Sequence, residues 1–224
     1  MNAEERLARL PAGRHGLPPE VVRANQRDRL IDAFARVVVE KGFRATTVHD
    51  ITSTASVSRN VFYEEFGGKD ECFIAVYEVV RGHIRALILK TAEPYPDQPE
   101  KLVAALQALL GYFSRHPDLA RLCLVEPLSA GPAMTEHHEK ALAALVERLG
   151  AMVGAATDEG SARNDEVLIL GGIALVARRI NLGEADKLEE LLPELAGILL
   201  SPRLDEERVG SIVQKVREGT LNRT

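Results

Sequence analysis

The chain has 224 residues, 46% hydrophobic and 27% charged, a balance typical of folded globular proteins that excludes a disordered or fibrous chain. The net charge of −5 divides into +1 over residues 1–70 and −6 over residues 71–224, so bulk charge does not indicate a nucleic-acid partner. The longest charge-free stretch, residues 102–114, is shorter than the roughly 18 residues of a membrane span, and the acidic N-terminus lacks an apolar signal core. Two cysteines support neither a disulfide framework nor a cysteine-based zinc site. We therefore expect a cytoplasmic protein with no cofactor, no bound metal and no membrane partner.

The N-terminal third predicts a flexible arm followed by three helices. Proline and glycine are frequent in residues 11–19, and we assign residues 1–22 to the arm. An apolar stripe at helical spacing predicts a helix over Leu30–Lys41, which Gly42 ends. Two helices of about two turns follow, one near residues 48–55 and one over residues 58–66, before Gly67 and Gly68 break the pattern.

The remainder of the chain predicts longer helices and almost no β-strand. Their predicted ranges are Lys69–Lys90, Leu102–Arg115, Pro117–Val125, Ala133–Thr157, Asn164 or Asp165 to about Leu182, Lys187–Leu200 and Asp205–Gly219. The predicted fold is all-α, with a three-helix helix-turn-helix head over residues 23–70 and a larger helical body over residues 71–224.

The two short helices carry capping signals. Thr47 is placed to cap the first of them, and Asp50 stands where a capping box puts its acid. Ala55-Ser56-Val57 forms a tight turn, after which Ser58 is placed to cap the second helix. Two helices this short need a third behind them, and that arrangement is a helix-turn-helix whose second helix enters the DNA major groove.

The second short helix has an apolar side and a polar side. Val61, Phe62 and Phe66 are expected to face the core, which leaves Ser58, Arg59, Asn60 and Tyr63 outside. An arginine matches the acceptors of guanine and an asparagine those of adenine, and one such pair discriminates between bases by about 1–3 kcal/mol. The hydroxyls of Thr47 and Tyr63 suit phosphate oxygens, as does the ammonium group of Lys69 at the start of the next helix.

These residues resemble the TetR family of transcriptional regulators. The matching runs, within Arg29–Tyr77, are Ala45-Thr46-Thr47-Val48-x-Asp50-Ile51, Val57-Ser58-Arg59-Asn60-Val61-Phe62-Tyr63-x-x-Phe66 and Gly67-Gly68-Lys69-Asp70-Glu71. The resemblance implies DNA contacts at Thr47, Arg59, Asn60, Tyr63 and Lys69, with Ser58 as a helix cap and a further contact. This chain departs from the family pattern in having Ser56 where glycine is common, Gly68 where a capping serine is common, and Glu64 and Glu65 near the DNA phosphates.

The resemblance also implies a homodimer on a double-stranded operator and a small-molecule effector. We expect the dimer interface in the late apolar helices, at Leu168, Leu175, Leu188, Leu191, Leu192, Leu195, Ile198 and Leu199. We expect the effector pocket to be lined by Phe73, Tyr77, Ile84, Leu106, Tyr112, Phe113, Cys123, Met134, Leu145 and Met152. Because aromatic residues make up only 4% of the chain, this lining is mostly aliphatic and favours a lipophilic effector. The predicted function is a repressor that the effector releases from a palindromic operator.

Several alternatives stay open at this point. The chain could act as an activator, or as a DNA-binding protein that works through protein partners without an effector. An enzyme is disfavoured, because the sequence has no catalytic triad order, zinc signature or phosphate-binding loop. The arm, with Arg14 and His15, either enters the minor groove or is an untethered tail. Adjacent histidines on a helix point in different directions, so we interpret His137 and His138 as surface residues rather than metal ligands.

Overall fold

The computed structural model describes residues 18–153 and 159–220, and within these ranges the protein consists of α-helices, short 3-10 segments and connecting turns. This confirms the all-α prediction. The helices are α1 (Pro19–Ala45), α2 (Val48–Ala55), α3 (Arg59–Glu65), α4 (Lys69–Ala92), α5 (Gln98–Arg115), α6 (Pro117–Leu124), α7 (Pro132–Val153), α8 (Glu159–Asn181), α9 (Leu192–Leu200) and α10 (Glu206–Arg217).

Helix α1 begins earlier than the sequence predicted. It starts at Pro19, where proline is favoured because the first helical N–H groups have no partner inside the helix. Residues 19–22, predicted as the end of the arm, are therefore helical, and residues 1–17 of the arm lie outside the described part of the chain. The predicted stop at Gly42 is a real break, since its φ of 78° departs from helical geometry before one last turn ends at Ala45.

The head is formed by α1, α2 and α3, which pack around phenylalanine side chains. Phe34, Phe62 and Phe66 are buried there, and Phe34 also packs against Phe73 at the start of α4, 5.3 Å between ring centroids. The predicted inward positions Phe62 and Phe66 are thus confirmed, whereas Val61 is only half-buried. Helix α4 shares its first turns with the head's core and then continues into the body.

The body differs from prediction where one late helix was expected. Lys187–Leu200 is divided into a 3-10 segment, Ala185–Leu191, and helix α9, which starts at Leu192. Pro193 explains the division, because proline cannot donate the hydrogen bond of a helix interior but fits the first turn. The start of α8 also differs, since this helix begins at Glu159 rather than at residue 164 or 165.

Most of the residues predicted at the dimer interface are buried within the subunit. Five of the eight are buried, namely Leu188, Leu191, Leu192, Leu195 and Leu199. They have little surface left for a second copy, and their assignment to a dimer interface stays a prediction. Leu168 and Leu175 are half-buried, and Ile198 is exposed.

Among the helices of residues 18–153 and 159–220, none combines the length and the apolar character that a membrane-spanning segment needs.

Candidate DNA-binding face

The start of α2 is fixed by a complete capping box. The Asp50 amide donates to Thr47 Oγ1 over 3.2 Å, and the Thr47 amide donates to Asp50 Oδ2 over 2.8 Å. Lys41 at the end of α1 forms an ion pair with the same carboxylate. These hydrogen bonds, that from Lys41 first, hold the pKa of Asp50 well below its usual range. The capping role predicted for Thr47 and Asp50 is confirmed, and the Thr47 side chain remains exposed at the edge of the head.

The turn between α2 and α3 uses a strained residue. Ser56 has a φ of 51°, in the left-handed region that glycine adopts at lower cost. Arg29 on α1 reaches across to this turn and donates to the carbonyl oxygens of Ala55 and Ser56, the latter over 3.0 Å. The guanidinium group therefore closes the C-terminal end of α2 and ties the turn to α1. The sequence departure noted at Ser56 is thus a genuine positive-φ position.

The outer side of α3 presents the predicted polar residues to solvent. Ser58 Oγ accepts the amide of Val61 over 3.3 Å, which confirms it as the cap of α3. Arg59, Asn60 and Tyr63 are exposed, with 57% of Tyr63 accessible. No described residue forms a hydrogen bond or ion pair with the side chain of Arg59 or Asn60. Two donor-bearing side chains therefore stand unpaired on adjacent positions of a capped helix.

The inner side of α3 is held by charges that the sequence reasoning assigned differently. Glu65 was expected to weaken DNA affinity, but its side chain is only 5% exposed and pairs with Arg23 and Arg27 on α1. Burial opposes ionisation of Glu65, yet these two guanidinium groups outweigh it and keep its pKa below the usual value. Arg27 also lies over the Phe66 ring, 4.6 Å from its centroid. The three charges lock α3 onto α1 instead of facing a phosphate.

Lys69 has a structural role that was not predicted. Its ammonium group donates to the carbonyl oxygens of Phe43 and Thr46, over 3.0 and 3.1 Å, and lies 4.2 Å from the centre of the Phe43 ring. Two of its three donors are thus occupied at the end of α1. The predicted phosphate contact of Lys69 rests on the third donor and stays a prediction.

The body contributes one contact to the head that sequence reasoning missed entirely. Glu126, in the 3-10 turn after α6, is buried and accepts the backbone N–H of Phe43 over 2.9 Å. Arg121 holds the other carboxylate oxygen over 3.0 Å. No periodicity or motif in the sequence could have indicated a pairing between residues 83 positions apart.

Most of the predicted effector-pocket residues form solid core. Phe73, Tyr77, Leu106, Phe113, Cys123 and Met134 are buried, whereas Ile84, Tyr112 and Leu145 are half-buried. The side chain of Met152 lies outside the described part. A small cleft of about 10 Å³ lies elsewhere, between α5, α7, α8 and α9, and none of the ten predicted residues lines it. Its lining residues are Leu102, Leu149, Asp165, Leu168, Ile169 and Leu199.

The core also contains a polar pair that corrects the reading of His138. His138 is buried rather than exposed, and its Nδ1 lies 2.7 Å from the Tyr77 hydroxyl. Burial lowers the pKa of His138 and raises that of Tyr77, so both groups are held neutral. His137 points outward to Glu78 instead, over 2.6 Å. Over residues 18–153 and 159–220, no group of three or more His, Cys, Asp or Glu side chains is placed to hold a metal ion.

Comparison with known sequences supports the assignment of the head. A family model described as bacterial regulatory proteins of the tetR family matches residues 30–76, which span most of α1 through the first turns of α4. The transcriptional activator FasR of Mycolicibacterium smegmatis is 27% identical over 120 residues, 54% of this chain and 55% of FasR. The transcriptional repressor NicS of Pseudomonas putida is 26% identical over 114 residues, 49% of this chain and 54% of NicS. The chain thus matches about half the length of these relatives.

Comparison with solved structures extends to the body. The regulator FadR of Bacillus subtilis, solved in complex with stearoyl-CoA, superposes with a TM-score of 0.67 at 18% identity, over 78% of this chain and 97% of FadR. A TetR-like regulator from Rhodococcus sp. RHA1 gives a TM-score of 0.62 at 24% identity, over 80% of this chain and 96% of that protein. The fold of head and body together is therefore that of these regulators. The chain thus has a head that matches the tetR family model over residues 30–76, on a helical body whose fold is similar to that of these regulators.

Proposed function

We propose that this protein is a DNA-binding transcriptional regulator that reads its operator with the outer side of α3. The observation that carries the proposal is the unpaired, exposed state of Arg59 and Asn60 on a helix fixed at its N-terminus by Ser58. Side chains with no partner among residues 18–153 and 159–220 do not have to break hydrogen bonds to those residues before they contact base edges. Tyr63 and Thr47 flank them with hydroxyl groups suited to phosphates.

The charge arrangement around α3 favours the same orientation. Glu65 is neutralised by Arg23 and Arg27, so it adds no repulsion toward the DNA backbone. Exposed Glu64 is the acidic side chain that remains on this short helix. A negatively charged residue near phosphates weakens sequence-independent binding, which makes the affinity depend more on base contacts.

The test is to select binding sites from random double-stranded DNA and to measure affinity for the selected site. In the double variant R59A/N60A we expect affinity for that site to fall by about tenfold or more, because each base pairing contributes about 1–3 kcal/mol. Thermal unfolding should be unchanged, since neither side chain contacts the core.

The matched control removes an exposed arginine and asparagine elsewhere, in R85A/N181A. That variant should bind as the unmodified protein does. If the α3 variant keeps both its affinity and its sequence preference, α3 does not read the operator and the proposal fails.

We extend the proposal to a homodimer on a palindromic site. One head reads few base pairs, and two-fold dimers present two recognition helices about 34–36 Å apart or at a multiple of that distance. The exposed apolar side chains of this region are Val167 on α8, Leu182 directly after it and Ile198 on α9. They are the surface on which a second copy would bury apolar area.

The dimer is tested by sedimentation of V167D and I198D. Both substitutions should shift the protein toward the monomer, because a charge is costly in an apolar interface. L128D is the control, since Leu128 is about as exposed as Val167 but lies in the turn after α6. Equal behaviour of all three variants would remove α8 and α9 from the interface.

The last part of the proposal is a small lipophilic effector that binds in the body and releases the operator. The cleft between α5, α7, α8 and α9 is lined by apolar side chains except for Asp165, and FadR of Bacillus subtilis was solved with stearoyl-CoA. The cleft, at about 10 Å³, is far smaller than the roughly 300–1,000 Å³ of typical ligand sites, so an effector would have to move helices apart. The effector would then bind the conformation with separated helices more tightly than the closed one. This difference in affinity is what a ligand needs in order to shift the protein toward a conformation that releases the operator.

Stearoyl-CoA is the probe for this step. We expect the melting temperature to rise with its concentration and operator affinity to fall. Stabilisation without loss of operator affinity would indicate a different consequence of binding. No effect at all would favour a regulator that acts without this class of effector. The relatives FasR and NicS are named activator and repressor respectively, so the direction of regulation is tested separately, by a reporter placed behind the selected site.

A further inference from the structure

The connection between head and body includes a carboxylate that grips a single backbone amide. Glu126 is 4% exposed, and its Oε2 accepts the N–H of Phe43 over 2.9 Å. Phe43 follows Gly42, whose positive φ takes the chain off the regular helical path. A backbone N–H at such a break needs an acceptor from outside the helix, and the body supplies it.

The carboxylate of Glu126 is itself held in place. Arg121 donates to Oε1 over 3.0 Å, and the Ser129 hydroxyl lies 3.4 Å from Oε2. Arg44, one residue beyond Phe43, reaches the carbonyl oxygen of Ser129 over 3.4 Å. The end of α1 and the turn after α6 are thus joined at two adjacent points.

Helix α4 holds the carbonyl oxygens of the same segment, residues 43–46. Lys69 binds the carbonyl oxygens of Phe43 and Thr46, and the Phe43 ring stacks on Phe73 with 5.2 Å between centroids. Thr46 directly precedes the residue that caps α2. Residues 43–46 are therefore gripped from two different body elements just before the helix-turn-helix begins.

We propose that Glu126 is a positioning residue that fixes the orientation of the DNA-binding head on the body. The proposal rests on the DNA-binding function proposed above. Besides its attachment through α4, the head packs through α1 against α6 and the turn that follows it. The buried Glu126 bond fixes the angle of the head at this second attachment, and so determines how far apart the two α3 helices of a dimer lie.

The consequence is a preference for one spacing between operator half-sites. A head held at two points presents α3 at a defined distance from its two-fold mate, and DNA whose half-sites are spaced differently is bound less well. Loss of the Glu126 bond should broaden this preference without changing which bases are recognised, because Arg59 and Asn60 are not touched.

Two substitutions separate side-chain length from charge. E126D keeps the charge for Arg121 but withdraws the carboxylate by about 1.5 Å, one carbon–carbon bond, from the Phe43 amide. E126Q loses the charge but keeps an oxygen at the original distance. We expect E126D to reduce the preference for the best half-site spacing by about tenfold, the factor that corresponds to one hydrogen bond to a charged group, and E126Q to retain most of it.

The control for the loss of an ion pair in the body is D97N. It removes the charge that pairs with Arg208 over 2.7 Å, at a contact between the start of α5 and α10 that involves neither the head nor the cleft. Spacing preference should be unchanged in D97N. Hydrogen exchange of the Phe43 amide gives a readout independent of DNA, and it should be faster in E126D than in E126Q.

The outcomes are decisive in both directions. Broadened spacing and faster Phe43 exchange in E126D, with neither in E126Q nor in D97N, would support the positioning role. The role is excluded if E126Q is as impaired as E126D, if neither differs from the unmodified protein, or if D97N broadens spacing as well. Failure of the unmodified protein to select any DNA site would instead count against the proposed function, while the Phe43 exchange comparison would still stand.

Discussion

The head and the α8–α9 region show similar apolar patterns in sequence but use them differently. In α3 Phe62 is buried and Val61 is half-buried, and the polar side retains Arg59 and Asn60 without partners among the described residues. In and before α9 the leucines are buried against the body's own helices, and Ile198 alone among the predicted residues of α9 is exposed. An apolar stripe therefore shows that a helix packs, whereas unpaired polar side chains on a rigid helix show where it can bind.

The two regions also differ in how their charges are held. In the head, the carboxylates of half-buried Asp50 and nearly buried Glu65 have lowered pKa values, chiefly through a hydrogen bond from Lys41 in one case and through two arginines that overcome burial in the other. In the body, Tyr77 and His138 form a buried pair that is kept neutral. Ion pairs thus reinforce the phenylalanine core of the head, whereas this polar pair of the body is held without charge.

The largest expected effect tests whether the late leucines are core or interface. L188A should lower the free energy of unfolding by about 2–5 kcal/mol, because Leu188 is fully buried and truncation leaves a cavity. I198A should cost about 0.5 kcal/mol or less within the subunit, since Ile198 is exposed. Denaturant unfolding at several protein concentrations measures both.

Concentration separates the two roles further. The loss in L188A should be the same at every concentration, whereas I198A should make the unfolding midpoint depend more strongly on concentration if it weakens a dimer. If the unfolding midpoint depends strongly on protein concentration in L188A alone, Leu188 lies in the dimer interface.

The sequence predicted the head well because its signals are local. Thr47 and Ser58 cap helices by accepting hydrogen bonds from amides three residues away. Ser56, which adopts the left-handed conformation, stands at the turn position where glycine is common in the family pattern. Such interactions depend only on nearby residue types and spacing. Arg59 and Asn60 could be assigned outward for the same reason, since a helix only two turns long needs few core positions.

The features that the sequence did not reveal are long-range. Arg29 closes a helix 26 residues away, and Glu126 binds an amide 83 residues away. Lys69 was assigned to phosphate because its type and position suited that role, while its actual partners are backbone carbonyls with no sequence signature. His138 was misassigned because burial on a long helix depends on which neighbour packs there.

A smaller effect is expected from acidification. Burial, together with Arg81 and His137, lowers the pKa of His138 against the opposing charge of Glu139, so the folded protein favours the neutral ring. The stability this provides is complete above the unfolded pKa of about 6.5 and is lost as the pH falls through it, at about 1.4 kcal/mol per unit of pKa difference. Asp50 and Glu65 stay ionised at pH 5.5, so the head should not respond.

H138N tests this assignment, because the asparagine oxygen can accept the Tyr77 hydroxyl yet does not titrate. We expect the unmodified protein to lose stability between pH 7.5 and 5.5 and H138N to lose less. H137N is the control, since His137 lies at the surface beside Glu78. An equal loss in H138N and the unmodified protein would show that another group titrates.

The smallest expected change in stability comes from Ser56, the strained residue in the turn between α2 and α3. Ser56 adopts a φ of 51°, and S56G should raise the free energy of unfolding by about 1 kcal/mol, because glycine has no side chain to clash in this region. The gain is reduced by the greater entropy of glycine in the unfolded chain. Arg29 donates to the backbone oxygen of Ser56, so the substitution leaves that hydrogen bond intact.

S53G, at an exposed interior position of α2, is the matched control and should destabilise by about 0.5–1 kcal/mol, because glycine is costly inside a helix. If S56G raises the free energy of unfolding and S53G lowers it, Ser56 is strained by its turn. If both substitutions change the free energy of unfolding in the same direction, Ser56 is not strained.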